Sequence, residues 1–284
     1  MNISRYILEG QGSEQRETKT KTLADKWILS RLHQTIAKVT AAFEGQEFSA
    51  AIETLRDFTW SDLADWYLEV SKIEKNKEVI LLDILEKVLK LWHPFIPFVT
   101  EAVWREFNAE DLLLIAPWPK SEKKLIDIKV EKDFARLQEI ITASRNLRAE
   151  NKIEPVQKVR LVIKADKKLA ALIEAQSEVI KFLARLSELD LIEAGKVEQA
   201  ASAVVSGVEI YLPLAGLIDL GKEKNRLAKE VAELEKYLTG LISRLDNKEF
   251  VANAPATVVE KEKLKLAESQ SKLEKLRHQL QTLK

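Results

Sequence analysis

The chain contains no cysteine, which excludes disulfides, thiol nucleophiles and thiolate metal sites together. Glycine and proline are scarce, eight and seven among 284 residues, so little punctuates the chain and long helices are favoured. No stretch of about 18 apolar residues occurs, and the N-terminus lacks the apolar core of a signal peptide. Charge of one sign is also lacking, since 45 basic residues balance 45 acidic ones. There is no glycine-rich loop to cradle a nucleotide's phosphates, and His33, His93 and His278 are too far apart for a zinc site. Carboxylates abound but alternate with lysines on helical patterns, so no pair stands out for acid–base work. What remains is an ordered, helix-rich, cytosolic chain with no membrane segment and no recognisable active site. Its length predicts two or three domains of roughly 100–200 residues each.

The strongest pattern is at the C-terminal end. Leu220, Leu227, Leu234 and Leu241 recur every seven residues, and Val231, Leu238 and Leu245 follow them four positions on. The heptads resume with Val259, Leu266, Leu273 and Leu280, joined by Leu276 and Leu283. Between the two runs lies a segment with Pro255, which a helix interior does not tolerate. Two heptad helices joined by a break predict a long antiparallel coiled-coil hairpin over 215–284, on the order of 50 Å in reach. From Asp219 to Lys284 there are 14 Lys and Arg against 11 Asp and Glu. Such flanks serve solubility and i,i+4 pairing, or contact with phosphate; charge alone leaves both open.

The first third reads as a helical bundle with a connector, residues 1–120. Thr22, with Asp25 three residues on, is a helix N-cap. Helices follow from there, from near Ser49, from about Lys77 to Trp92, and from Pro97, a favoured first-turn residue. Trp27, Trp60, Trp66, Trp92 and Trp104 sit at helical spacing among apolar residues and are expected in the core. The segment 121–214 changes character to a small α/β module. Its first helix is lined by Phe134, Leu137, Ile140, Ile141, Ser144 and Leu147 and displays Arg145 and Arg148. The β-branched run from Val156 to Ile163 predicts a strand, a helical stretch leads to a short strand at Leu189–Ile192, and a hairpin turns on Ser206-Gly207. The fold class is therefore mainly α, with a bundle, a small α/β module and a coiled-coil hairpin.

These segments carry a resemblance. Asn2-Ile-Ser-Arg-Tyr-Ile-Leu8 resembles the Asn-Ala-Ser-Arg-Phe-Val-Leu segment of valyl-tRNA synthetases, and Leu23-Ala-Asp-Lys-Trp-Ile-Leu-Ser-Arg-Leu32 the opening of their anticodon-binding bundle. Trp60-Ser-Asp-Leu-Ala-Asp-Trp-Tyr-Leu-Glu69 and His93-Pro-Phe-Ile-Pro-Phe-Val-Thr-Glu101 are shared with isoleucyl and leucyl relatives. The stretch Ala203–Leu220 and Phe250-Val-Ala-Asn-Ala-Pro-Ala-Thr-Val-Val-Glu260 are similar to the valyl enzyme specifically. The chain thus resembles the C-terminal part of that family.

The resemblance implies recognition without catalysis, because neither the His-Ile-Gly-His-type nor the Lys-Met-Ser-Lys-Ser-type signature occurs. It implies no cofactor in this chain, ATP being used by the family's catalytic domain. The implied partner is valine-accepting tRNA, alongside either a separate catalytic chain or none; a monomer is expected because the hairpin supplies its antiparallel partner in cis. Tyr6 corresponds to the aromatic that packs on an anticodon base, a role that suits stacking, and Arg5 beside it pairs with phosphate, stacks, or forms an internal salt bridge. Arg226, Lys229, Lys236, Arg244 and Lys248 are the candidates for backbone contacts at the tRNA's outer corner. The heptads alone also permit a structural or dimerising coiled-coil protein.

Overall fold

The computed structural model describes residues 2–9, 21–106, 111–195, 197–214, 220–247 and 256–282. The polar segment 10–20, Phe107, expected on the inward face of the helix from Pro97, and the expected break around Pro255 lie outside the described residues. The chain divides into two compact units, residues 1–139 with 178–183, and residues 140–177 with 184–284.

The first unit is helical. A short α1 (Asn2–Glu9) precedes α2 (Leu23–Glu44), whose start is fixed by a capping box. Thr22 Oγ1 accepts from the Asp25 amide at 3.3 Å, and Asp25 Oδ2 accepts from the Thr22 amide at 2.9 Å. These bonds satisfy two amides that a helix start leaves without partners. Next come α3 (Phe48–Arg56), a π-helical stretch (Asp57–Tyr67), α4 (Leu68–Ser71), α5 (Glu78–Trp92) and α6 (Pro97–Trp104). The core is built from Ile28, Leu32, Ile36, Leu55, Phe58, Leu63, Tyr67 and Ile84, all essentially without solvent contact. Trp27 stacks on Phe134, ring centroids 4.0 Å apart.

Trp60 departs from the core placement expected of it, being 54% exposed. It sits inside the π-helical stretch, where each turn takes up more residues than an α-turn. Phe58, Thr59 and Leu63 take the inward positions instead, and the indole that a 3.6-residue period would bury faces outward. Trp27 and Trp104 are buried as expected, while Trp66 and Trp92 are half-buried.

The second unit begins within α7 (Ile128–Glu150). It contains a four-stranded mixed sheet in the order β2-β1-β4-β3, from β1 (Val159–Lys164), β2 (Leu186–Ile192), β3 (Ala200–Val205) and β4 (Val208–Pro213). Strands β1 and β2 are parallel, joined through α8 (Lys167–Ala175) and α9 (Ser177–Ala184). The other neighbours are antiparallel. The β3–β4 turn has positive φ at both Ser206 and Gly207 (50° and 79°), the handedness that a two-residue hairpin requires.

Arg148 is not displayed as the helical pattern suggested. It is buried, and its guanidinium donates to the carbonyls of Ala184 (2.7 Å), Gln157 (2.7 Å) and Glu154 (3.2 Å). The Ala184 carbonyl lies beside the left-handed Arg185 (φ 54°), and the Glu154 carbonyl also accepts from the Gln157 amide at 3.0 Å. A fork of five donors fits such a cluster. Burial, aided by the neighbouring Arg185 charge, pulls the Arg148 pKa below the usual arginine range.

Two further helices, α10 (Leu220–Asp246) and α11 (Ala256–Thr282), pack on each other. Leu227, Leu238 and Leu241 are buried on α10, and Val259, Leu273 and Leu276 on α11. No helix among the described residues is long and apolar enough to cross a membrane.

Candidate nucleic-acid interface

Helix α1 is anchored by Ile7, which is buried, and this leaves its neighbour Tyr6 38% exposed. The Tyr6 hydroxyl lies 3.2 Å from Ser71 Oγ. Ser71 already donates to the Leu68 carbonyl at 2.8 Å, so Tyr6 is the donor in the shared bond. The phenol is thus held by its rim beside a cleft of about 290 Å³ lined by Tyr6, Ile7, Glu9, Ser71, Lys77, Glu78 and Leu81. Arg5 projects from the same helix and pairs with Glu9 one turn on, 2.7 Å away and in solvent.

One wall of the cleft is an enclosed charge network. Lys77 is 3% exposed and its ammonium has three acceptors: Asp25 Oδ1 at 2.7 Å, Thr22 Oγ1 at 2.9 Å and Glu74 Oε2 at 2.6 Å. All three protons of an ammonium are thereby used. Tyr67 adds a bond from its hydroxyl to Asp25 Oδ1 at 2.7 Å. Burial, and then the Asp25 carboxylate, push the Tyr67 phenol far above its ordinary pKa, so it stays a donor. The capping residues of α2 therefore also hold the segment entering α5. Nothing in the spacing of Lys77 reveals this, because its partner Asp25 is 52 residues away.

The second group of candidates is on the helix pair. Lys229 and Lys236 are exposed on α10 and make no ion pair among the described residues. Arg244 is exposed but lies 3.8 Å from Glu262 Oε2 on α11. Arg226 is on α10 with its side chain outside what is described, and Lys248 lies outside the described residues. Lys261 and Lys263 are exposed on α11 and also unpaired among the described residues.

Glu262 occupies a seam position, three residues after Val259, and is buried. The bond from Lys265, 2.9 Å away, holds its carboxyl below the usual range. Further pairs cross between the helices: Arg277 to Glu235 at 2.7 Å and Lys272 to Glu230 at 4.0 Å. The structure brings Arg5 and Tyr6 together on one helix, and Lys229, Lys236 and Arg244 on another.

Residues 25–163 match the model of the anticodon-binding domain of tRNA ligases, and residues 219–284 that of the valyl tRNA synthetase tRNA-binding arm. Relatives align over nearly the whole chain. The valine–tRNA ligase of Thermotoga maritima is 35% identical over 291 residues, covering 99% of this chain and 33% of that enzyme. That of Lactiplantibacillus plantarum is 38% identical over 301 residues, with 100% and 34% covered, and that of Carboxydothermus hydrogenoformans 38% identical over 282, with 93% and 32%. The chain spans about a third of the length of the curated relatives it matches.

Proposed function

The chain belongs to the valine–tRNA ligase family, and from that premise we propose that it is a tRNA-recognition portion whose bundle takes the anticodon loop and whose helix pair takes the outer corner of the tRNA. The observation that carries this reading is the half-exposed Tyr6 ring, fixed by Ser71 beside a cleft whose other walls, Ser71, Lys77, Glu78 and Leu81, fall inside the matched anticodon-binding segment. A phenol face stacks on a splayed base, and the cleft beside it takes only a loop whose base seats there, so ring and cleft together discriminate between single-stranded loops.

In this reading residues 1–120 form the anticodon-binding bundle with its connector, 121–214 a small α/β module, and 215–284 an antiparallel coiled-coil arm. The pairing of Arg244, late in α10, with Glu262, early in α11, supports that direction. So does the burial of leucines from both heptad runs. Lys229 and Lys236 supply backbone contacts that position the tRNA without reading its sequence. Arg5, freed from Glu9, reaches phosphate near the loop. Valine activation with ATP belongs to the two thirds of the ligase that this chain does not span.

Equilibrium binding of the purified chain to valine-accepting and non-cognate tRNA, at low and moderate salt, tests the reading. It predicts preference for the valine-accepting tRNA and a steep loss of affinity with salt, as counterion release demands. Affinity that ignores salt, or is absent for both tRNAs, would refute it.

A further inference from the structure

The bundle leaves an apolar, aromatic face bare. Trp60 meets Trp92 edge to face at 5.9 Å, Trp92 meets Phe95 at 6.2 Å, Phe95 meets Phe43 at 5.2 Å, and Phe43 meets Phe48 at 5.5 Å. This run of rings borders a groove of about 500 Å³ between Ile52, Trp60 and Trp92. Phe48, Ile52 and Trp60 along it are all exposed. The chain then passes from Phe95 straight into Ile96, Pro97, Phe98 and Val99, four consecutive exposed apolar residues with Phe98 at 90%. The fold does not require them outside. Pro97 sets the start of α6, and Thr100, Val103 and Trp104 already fill its inward face. Contiguous exposed apolar surface of this kind marks an interaction site.

The chemistry selects the occupant. An RNA surface needs cations for phosphate, yet the charged side chains lining the groove are Arg56 and Asp57, which neutralise each other at 3.0 Å. The surface therefore suits polypeptide. Relatives that align along nearly the whole chain are three times its length, so in those enzymes about twice as much protein again adjoins the part represented here.

We infer that the face running from Phe48 and Trp60 to Phe98 is the seat of the remaining two thirds of the valine–tRNA ligase, supplied in the same polypeptide or a separate one. The inference rests on family membership and not on tRNA binding, and its primary test contains no RNA. Hydroxyl-radical footprinting would compare the 284-residue chain alone with the same 284 residues joined behind the first two thirds of the Thermotoga maritima enzyme. Buried Trp27 reports that the bundle is folded, and exposed Tyr237 on the helix pair serves as the unprotected reference.

The expected result is severalfold slower oxidation of Trp60 and Phe98 in the joined protein, with Tyr237 unchanged. Equal oxidation of Trp60 and Phe98 in both, with Trp27 still protected, would overturn the inference. Protection of the isolated chain that grows with its own concentration would overturn it in favour of a second copy. Protection appearing only when tRNA is added to the isolated chain would make the face an RNA surface and overturn it equally.

Discussion

In the bundle the ammonium of Lys77 is shut away from water and touches three oxygens, whereas on the α10–α11 pair Arg277 meets Glu235 with both side chains about half exposed. The two regions use the same residue types in opposite ways. A buried cation with every proton committed cannot be lent to a ligand, so charge near the Tyr6 cleft serves to hold α2 and the entry to α5 in place. In the proposed reading the recognising group there is the ring of Tyr6. Exposed charges on a helix pair bind their neighbours weakly, which lets them, in that reading, exchange those neighbours for phosphate. The bundle holds an aromatic in place, and the helix pair presents exposed charge.

Breaking this contrast should have its largest effect at Lys77. Replacing it by Met strands Asp25 and Glu74 without their cation, and removal of one partner from a buried ionic group costs about 3–5 kcal/mol. Urea denaturation of Lys77→Met should show that loss as a lower midpoint of the transition that includes the bundle. Tyr6→Ala comes next and acts on binding instead: about 1–3 kcal/mol of stacking is lost, measured as weakened affinity for valine-accepting tRNA. Tyr6→Phe, which gives up only the bond to Ser71, should retain most of that affinity.

A smaller, pH-dependent effect is expected at His33, which is buried and accepts the Glu122 amide at its Nδ1, 3.0 Å away. Burial pulls its pKa below the ordinary value. The unfolded chain therefore takes up a proton below about pH 6.5 that the folded chain refuses. Stability from this group is complete above that pH and declines as pH falls toward the lower folded value. Thermal melts at about pH 7 and about pH 5.5 should show a larger acid-induced drop for the wild type than for His33→Gln. The smallest effect belongs to Arg277→Ala, expected to change stability by about 0–1 kcal/mol in the same urea experiment.

How far the sequence could be read differs between these regions for physical reasons. Heptad leucines repeat, so Leu227, Leu238, Leu241, Leu273 and Leu276 could be placed on a buried stripe without knowing what they touch, and they are buried. The capping box at Thr22 and the Ser206-Gly207 turn are local chemistry and were equally legible. Trp60 was not, because a π-helical stretch leaves no mark on a pattern read at 3.6 residues per turn. Lys77 and Arg148 were not, because Thr22 and Asp25 reach Lys77 from a distant segment and the acceptors of Arg148 are backbone carbonyls. Tyr6 could be singled out only by resemblance. Its hold on Ser71, 65 residues away, and the cleft beside it needed the fold.

The division of labour between ring and charges is tested most directly by the ratio of affinities for valine-accepting and non-cognate tRNA. It would be measured for the wild type, Tyr6→Ala and the double variant Lys229→Ala/Lys236→Ala. The account predicts that the ratio collapses toward one in Tyr6→Ala. In the lysine variant both affinities should fall together, the ratio surviving while the salt dependence becomes shallower by about one unit of log–log slope per lysine. A ratio that survives loss of Tyr6 but collapses with the lysines would contradict it.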